Sequence, residues 1–486
     1  MIVTYRNNRL VPAVIIALCI GLIYYLIDPS VGNYGRVYPE ILEDPTQHSE
    51  QPEHAPAQNE TVSDTSAVVE EPPASTQSFK DVPLGEALTK DDVLLIVKTG
   101  GTTMWKRLLV HLTTTLASER VSPDNVVVYS DYPETIGRFD IIDVLANMTD
   151  SAKTRPDFDV YRDQPEYMAN NYYAEAAGVN GDEWGPTGGW IIDKYKFIPL
   201  MQHAGENWPA AKWYIYMEDD AYLFLPNVLA YLSTFDWRKP QYLGSYAAKS
   251  DVVFAHGGAG FAVSRGAWEA SFGKNSNLTE EYYEYTADHC CGDQVLAHAL
   301  DKYGVKFGEN GGDKKFTWGF NPVVHWTFAF SMHNWCHPLL SWHKVHNRDV
   351  SQYYELEKAW DFSKPLLHRD FFSKMILPSI QKPLEWWDNM ANLYEVTSAN
   401  KDAPPHPEDA YNADLWNKGW ESVEACQAAC TGWSNCVQWT FVEDLCKMDD
   451  KMIMGQGFAS AMSQRKTSLK HTSGWLPERL DKWACV

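Results

Sequence analysis

Basic residues are scarce in this chain. Its 486 residues carry 41 Lys and Arg against 64 Asp and Glu, a net charge of −23. A nucleic-acid partner is excluded on that ground, because phosphate backbones call for clustered Lys and Arg. The acidity reads as a solvated surface. A Walker-type phosphate cradle is missing too, since no Gly-Lys-Ser/Thr follows the turn His256-Gly257-Gly258-Ala259-Gly260-Phe261. Paired Cys-x-x-Cys knuckles are absent around Cys426, Cys430, Cys436 and Cys446, and no nearby His completes a ligand set. That spacing, with Trp439 and Phe441 inside it, reads as a small disulfide-stapled module rather than a zinc site. Large apolar residues are few from Asp28 to Phe79, where QPEHAPAQNETVSDTSAVVEEPPASTQ cannot bury enough surface to offset the entropy of ordering. This stretch is expected to be a flexible stem.

One long apolar run stands at the start. Leu10 to Ile27, LVPAVIIALCIGLIYYLI, is uncharged, preceded by Arg6 and Arg9 and closed by Asp28. It is long enough to span a thin bilayer as a helix, and the flanking charges leave the short N-terminus in the cytosol. No small-residue cleavage site follows, which predicts a retained signal anchor and a luminal remainder. The sequons at Asn59, Asn147 and Asn277 agree with that placement, as do eight of nine cysteines beyond the run. Cys19 lies inside the run as a small apolar residue. A single-pass type II protein of the Golgi or ER membrane is expected. Its parts are a cytosolic tail (1–9), an anchor (10–27), a luminal stem (28–80), a catalytic domain (85–400) and, after the linker PPHPED, a cysteine module (405–486).

The long middle reads as α/β. VLLIVK (93–98) is a buried-strand pattern that leads through Gly100-Gly101 into the amphipathic helix TMWKRLLVHLTTTLA. NVVVYS (125–130) is a second strand, ending at Asp131, and WYIYM (213–217) a third, running directly into Glu218-Asp219-Asp220. A helix is expected over 189–203, kinked by Pro199, with short strands at 242–245 and 260–263 and a helix over 293–303. The alternation predicts a largely parallel sheet with its ligands at the carboxyl ends of the strands.

Those ends carry the candidate chemistry. Residues two apart on a strand share a face, so Glu218 and Asp220 point together and Asp219 points away. Crowded carboxylates need compensation, and a hard divalent cation that also grips a diphosphate supplies it. An acidic loop after a strand accounts for the triplet equally well. The three glycines of the 256–261 turn permit close backbone approach or positive φ, as any tight turn does. Asp293, in Cys290-Cys291-Gly292-Asp293, stands either as the cap of the helix it opens or as a general base in a cleft. HNWCHPLLSWHKVH is rich in His, but its irregular spacing and Pro338 argue against a closed zinc site. One of its imidazoles sharing a metal with the carboxylates is the sharper reading.

The order of motifs says more than any single one. KTGGTTMWKRLLVHLTTTL, VVVYSD, DKYKF, KWYIYMEDDAYLFLPNVLAYL, YLGS, GGAGFAVS, CCGDQVLAHAL and HPLLSWHKVH follow one another between about 91 and 347. In that order they resemble glycosyltransferase family 31, the Fringe-like group, in its fungal form. The C-terminal cysteines resemble a PAN/Apple module more loosely. The family likeness implies a GT-A-type, Rossmann-like mixed sheet flanked by helices, Mn²⁺ or another divalent cation, a UDP-sugar donor and a glycan or glycoconjugate acceptor. It implies an inverted, β-1,3-type product. Carried over by motif, Asp220, Asp219 and His343 would hold the metal, with Asp220 the chief ligand, and Glu218 would lie nearer the ribose. Asp293 would be the base. Lys98, Thr99 and Asp131 would contact the nucleotide, and Gly257, Gly258 and Gly260 would form the turn beside the sugar. Lys194 matches a family position without an assigned role.

The chain departs from the family pattern in three places. Glu218 stands where many relatives have Asp, Ala221 where Thr is frequent, and CCGDQ has one carboxylate where many have two. Two other classes use similar residues. A glycoside hydrolase would set Asp220 and Asp293 on either side of one bond. A non-catalytic lectin-like protein would use the cysteine module and some of the 20 tryptophans for sugar stacking.

Overall fold

Among the described residues, eleven strands lie between 93 and 343. They are β1 (Val93–Lys98), β2 (Val126–Ser130), β3 (Glu134–Ile136), β4 (Phe139–Asp143), β5 (Trp213–Glu218), β6 (Ala221–Leu223), β7 (Tyr242–Gly244), β8 (Tyr246–Lys249), β9 (Val252–Ala255), β10 (Phe261–Ser264) and β11 (Ser341–His343). Seven of these make the central sheet, in the order β3-β4-β2-β1-β5-β10-β7. The computed structural model describes residues 87–170, 188–308, 319–400, 406–459 and 468–485. The apolar run 10–27, the stem, Cys19 and the Asn59 sequon fall outside them. Among the described residues no helix is long and apolar enough to cross a membrane. The sequon residues Asn147 and Asn277 are both exposed.

Strand alternation divides the core in two. Leu94 and Ile96 of β1, Val127 and Tyr129 of β2, Tyr214 and Tyr216 of β5, and Phe261 and Val263 of β10 enter one apolar cluster. Their neighbours Val93, Leu95, Val97, Val126, Val128, Trp213, Ile215, Met217 and Ala262 enter the other. Both faces are covered, so the strands read as continuous apolar runs. One face packs on α2 (Phe197–Asn207) and α3 (Gly292–Asp301), the other on α1 (Met104–Thr113) and the helix Leu225–Leu232.

β4, β2, β1 and β5 are parallel, whereas β10 runs antiparallel to both β5 and β7, and β3 antiparallel to β4. The sheet is therefore mixed, as the family likeness implied, where strand–helix alternation alone suggested a largely parallel one. β7 and β10 are joined through the hairpin β8–β9 and the glycine turn, with no helix between, and parallel pairing needs a longer crossover. The helix expected over 189–203 is likewise broken. Gly189–Asp193 gives way to a 3₁₀ turn at Lys194–Lys196, and α2 begins at Phe197 with Pro199 in its first turn, where the missing N–H costs nothing.

A third, aromatic-rich core links this sheet to the rest of the chain. It gathers Tyr222, Phe224, Trp342, Tyr353 and Phe371 with Val437, Met452 and Trp475. Tyr353 belongs to α4 (Asn347–Ala359). Seven more strands follow: β12 (Leu384–Glu385), β13 (Trp387–Asp388), β14 (Tyr394–Thr397), β15 (Gln438–Val442), β16 (Leu445–Asp449), β17 (Gln456–Gly457) and β18 (His471–Trp475). They form a five-stranded sheet, β12-β18-β15-β16-β14, and a ribbon, β13–β17. Cys426–Cys446 and Cys430–Cys436 staple this part around Trp416, Trp433 and Trp439. Cys336–Cys485 ties the end of the chain back to the His-rich segment, and Cys290 pairs with its neighbour Cys291.

Beneath β6 lies a buried ion pair. Arg120 bonds both oxygens of Glu357 and the carbonyls of Thr115 and Leu223. Arg120→Met should lower stability by about 3–5 kcal/mol, because Glu357 is left charged and unpaired in the core. Adding Glu357→Leu should restore most of the loss. Urea unfolding of the three proteins checks both expectations.

Candidate functional site

The parallel strands β1, β2 and β5 end along one edge, and β2 and β5 lie on opposite sides of β1. Open α/β sheets keep their ligand crevices at such an edge. Here it holds charge. Asp131 follows β2, Lys98 closes β1 and Glu218 closes β5. Lys196 contacts Asp131 at 2.8 Å and Asp193 at 3.0 Å, Lys98 pairs with Asp193, and Lys98 lies 3.2 Å from Glu218. A line of alternating charge, Asp131–Lys196–Asp193–Lys98–Glu218, thus crosses the strand ends. Burial works against the charge on Lys98, yet Asp193 and Glu218 hold its pKa above the ordinary value. Gln164 and the Gly101 N–H complete the Asp131 carboxylate.

Lys98, Thr99 and Asp131 are only 3%, 2% and 1% exposed. Expected as nucleotide contacts, they form the floor of the site in this conformation. Sequence reasoning missed Asp193 and Lys196. The motif DKYKF pointed at them, but Lys194 was the residue singled out, and it turns instead to Asp157 at 2.9 Å.

Beyond the line, alternation separates the acidic triplet. Asp219 faces α1, where its carboxylate accepts hydrogen bonds from Thr99 Oγ1 at 2.6 Å and Thr103 Oγ1 at 2.9 Å, with Arg107 at 3.6 Å. Glu218 turns the other way, towards Lys98, and Asp220, in the turn after β5, takes Arg107 at 3.2 Å on one oxygen and leaves the other towards His343. β6 then pairs with β11 so that Ala221 opposes His343, and the imidazole comes to rest beside Asp220, with Nε2 3.4 Å from Oδ1. One ligand atom each from Glu218, Asp220 and His343 lies within 4.8 Å of the other two. The resemblance gave the metal to Asp220, Asp219 and His343, and in this conformation the grouping of side chains differs at two positions. Asp219 is hydrogen-bonded away from the cluster, and Glu218, assigned nearer the ribose, is part of it.

Three observations fit this cluster to a divalent cation. Asp220 Oδ1 is buried and takes part in no hydrogen bond. The Pro322 carbonyl, 3.0 Å from His343 Nδ1, can only accept, so Nδ1 keeps its proton and Nε2, turned to Asp220, is the nitrogen that would offer a lone pair to a cation on losing its own. Carboxylates around the edge outnumber the cationic side chains that face them. In the bare site, burial pushes the Asp220 carboxyl up, but His343 and Arg107 outweigh it and hold the group below the carboxylate range. Burial opposes charge on His343, yet Asp220 raises its pKa.

The glycine turn is shaped around these groups. A Cβ on Gly258 would fall 2.2 Å from His343 Nε2, and one on Gly257 would meet Glu218 Oε1 at 3.1 Å. Gly260 has φ +80°, a conformation that other residues avoid.

Asp293 lies in the first turn of α3 but does not cap it; Cys291 occupies the capping position. Asp293 Oδ2 accepts the Gly257 N–H at 2.7 Å and Oδ1 accepts the Gln294 N–H at 2.8 Å. Burial, with Glu218 adding to it, pushes its pKa up to about 6. A carboxylate so poised is suited to accept a proton near neutral pH. Gly292 seats that turn tightly, since a Cβ there would lie 2.2 Å from Phe197. The disulfide between Cys290 and Cys291 stands just before it.

Residues 88–299 match the family model described as Fringe-like, of the glycosyltransferase family 31 type. No curated protein matches the chain. The matched span takes in β1, Glu218–Asp220, the glycine turn and Asp293, and it stops short of His343 and the cysteine module. The Fringe-like family is one of glycosyltransferases, which implies a sugar donor and a glycan acceptor.

In Gly258→Ala the added methyl should drive His343 away from Asp220. Its pKa, held above the ordinary 6.5 in the metal-free chain, should then fall back towards or below that value. Histidine carbon NMR in the presence of a chelator measures this, and an unchanged titration would contradict the packing described.

Proposed function

We propose that the chain is a metal-dependent inverting glycosyltransferase. It would move a sugar from a UDP-sugar to a hydroxyl of a glycan or glycoconjugate, forming a β-1,3-type linkage. The observation that carries this reading is the Asp220 oxygen, buried and without a hydrogen-bond partner, in a Glu218–Asp220–His343 ligand set whose two carboxylates lie within the Fringe-like span. A hydrolase would need Asp220 free to act on a glycosidic bond, whereas its Oδ2 is paired with Arg107 at 3.2 Å.

Asp220, His343 and Glu218 would hold Mn²⁺ or another divalent cation. When bound, the ion supplies positive charge to offset the negative charge developing on the departing diphosphate. The protein's own groups do the rest. The glycine turn brings backbone close to the donor sugar, and the Asp293 bond to the Gly257 N–H fixes the base relative to that turn. Asp293 accepts the proton of the acceptor hydroxyl as the hydroxyl oxygen bonds to the anomeric carbon. The bond from that carbon to the UDP oxygen breaks on the opposite face, which inverts the centre. A retained anchor at 10–27 and a luminal catalytic domain in the Golgi or ER complete the proposal, supported by the exposed sequon residues Asn147 and Asn277. So does a PAN/Apple-like role for the cysteine module, supported by its cysteine spacing.

The decisive test is a panel of UDP-sugars with and without Mn²⁺, reading UDP release and product anomericity. Turnover that ignores both nucleotide and metal would sink the reading. Mn²⁺ should raise the melting temperature of the wild-type chain, and Asp220→Ala or His343→Ala should abolish the shift; saturation at a thousandfold excess over Kd corresponds to about 4 kcal/mol.

Asp293→Asn keeps the acceptor for Gly257 but loses the base. It should reduce kcat by about 10²–10⁴-fold while UDP binding persists. Because the base works only when deprotonated, activity should rise with pH through about 6 and fall below it. That limb should vanish from the residual activity of the variant.

A further inference from the structure

A cavity of about 480 Å³ opens between two walls from distant parts of the chain. One wall is the start of α4, carrying Arg348 and Gln352, with Trp326 beside it. The other is the ribbon β13–β17, carrying Trp387 and Gln456. The walls are joined, since the Gly455 N–H donates to the Trp326 carbonyl at 2.8 Å.

The ribbon presents a fixed indole. Trp387 Nε1 donates to the Met454 carbonyl at 2.7 Å, and Gly457 lies so close that a Cβ there would be 3.0 Å from the ring. Trp386, just before it, has φ +56°, a left-handed conformation that a bulky residue adopts only when its surroundings impose it. Around this ring, Arg348, Gln352 and Gln456 have no side-chain hydrogen bond or ion pair among the described residues.

These features select a ligand class. A wholly apolar molecule would make no use of the guanidinium and two carboxamides on these walls, whose water a ligand rich in hydroxyls can replace. A phosphate would meet Asp349, which shares the wall with the one arginine. A pyranose offers a C–H face to an indole and a rim of hydroxyls that both give and accept hydrogen bonds. The volume lies in the range of small-molecule sites.

Short stretches of chain also join the cavity's walls to the cluster. His343 and the wall residue His346 flank Lys344, itself at φ +57°, and Val345, whose N–H donates to the Asp220 carbonyl at 2.9 Å. Pro322, which orients His343, lies three residues before the wall residue His325.

We propose that this cavity is a glycan-binding subsite that holds a distal sugar of an extended acceptor, and that the C-terminal part of the chain completes it. The acceptor role rests on the transferase reading above; sugar binding does not. The experiment uses the full chain and a panel of gluco-, galacto- and manno-configured trisaccharides, with affinity read by tryptophan fluorescence and calorimetry. UDP release without acceptor is measured in parallel. At least one trisaccharide should bind, and Trp387→Ala and Arg348→Ala should each weaken it by about tenfold or more, the scale of a lost anchor contact. Trp387→Phe should retain most of the affinity, and acceptor-free UDP release should not change.

Arg348 is exposed at the start of α4, so its loss of binding could not be ascribed to unfolding. No binding across the panel, or equal binding by wild type, Trp387→Ala and Arg348→Ala, would overturn the proposal. Binding that is lost in the variants of a chain without donor turnover would uphold the sugar site and sink the transferase reading.

Discussion

Like charges meet where β1, β2 and β5 end, and buried ammonium groups standing between them make that edge tolerable. Removing a charge from water costs several kcal/mol even after relaxation, and only close, well-bonded partners offset it. Asp131, Asp193 and Glu218 have such partners in Lys196 and Lys98. The compensation weakens along the line. At its far end Asp220 retains a buried oxygen that no donor fills, and the imidazole of His343 faces it. The network therefore concentrates the site's remaining affinity for positive charge at a single place. Its members are held by strands and helix ends, so little reorganisation is left for the moment of binding.

The same edge organises what lies around it. β6 leaves directly from the acidic triplet and recruits β11, which carries His343 from more than a hundred residues away. The glycine turn fills the remaining side, and its lack of side chains allows an imidazole, a carboxylate and the Asp293 helix to converge on one backbone segment. The aromatic core under β6 and β11 continues into the cysteine-rich part, and Cys336–Cys485 fastens the two. The C-terminal strands thus share a core with the elements that carry the candidate site.

Much of this could be read from the residues. The apolar runs of β1, β2 and β5 announced strands buried on both faces, and period-two alternation set Glu218 and Asp220 together. What eluded sequence reasoning is long-range or depends on parity. Alternation turned Asp219 away while the motif resemblance counted it among the ligands, and here its carboxylate is taken up by Thr99 and Thr103. In DKYKF the two lysines are two positions apart, and no periodic rule says which faces the strand ends through a 3₁₀ turn. The antiparallel β10 follows from a hairpin whose strands are short and weakly patterned. Disulfide partners separated by as many as 149 residues leave no local trace.

The bond between Cys290 and Cys291 differs in kind from the other three. It encloses no length of chain, so it removes little freedom from the unfolded ensemble and does little to secure the fold. Its constraint is spent on one peptide unit, two residues ahead of Asp293. The approach to α3 is therefore a closed ring where other chains would have a swivel. Beyond that ring, the N–H groups of Gly257 and Gln294 hold the Asp293 carboxylate in place.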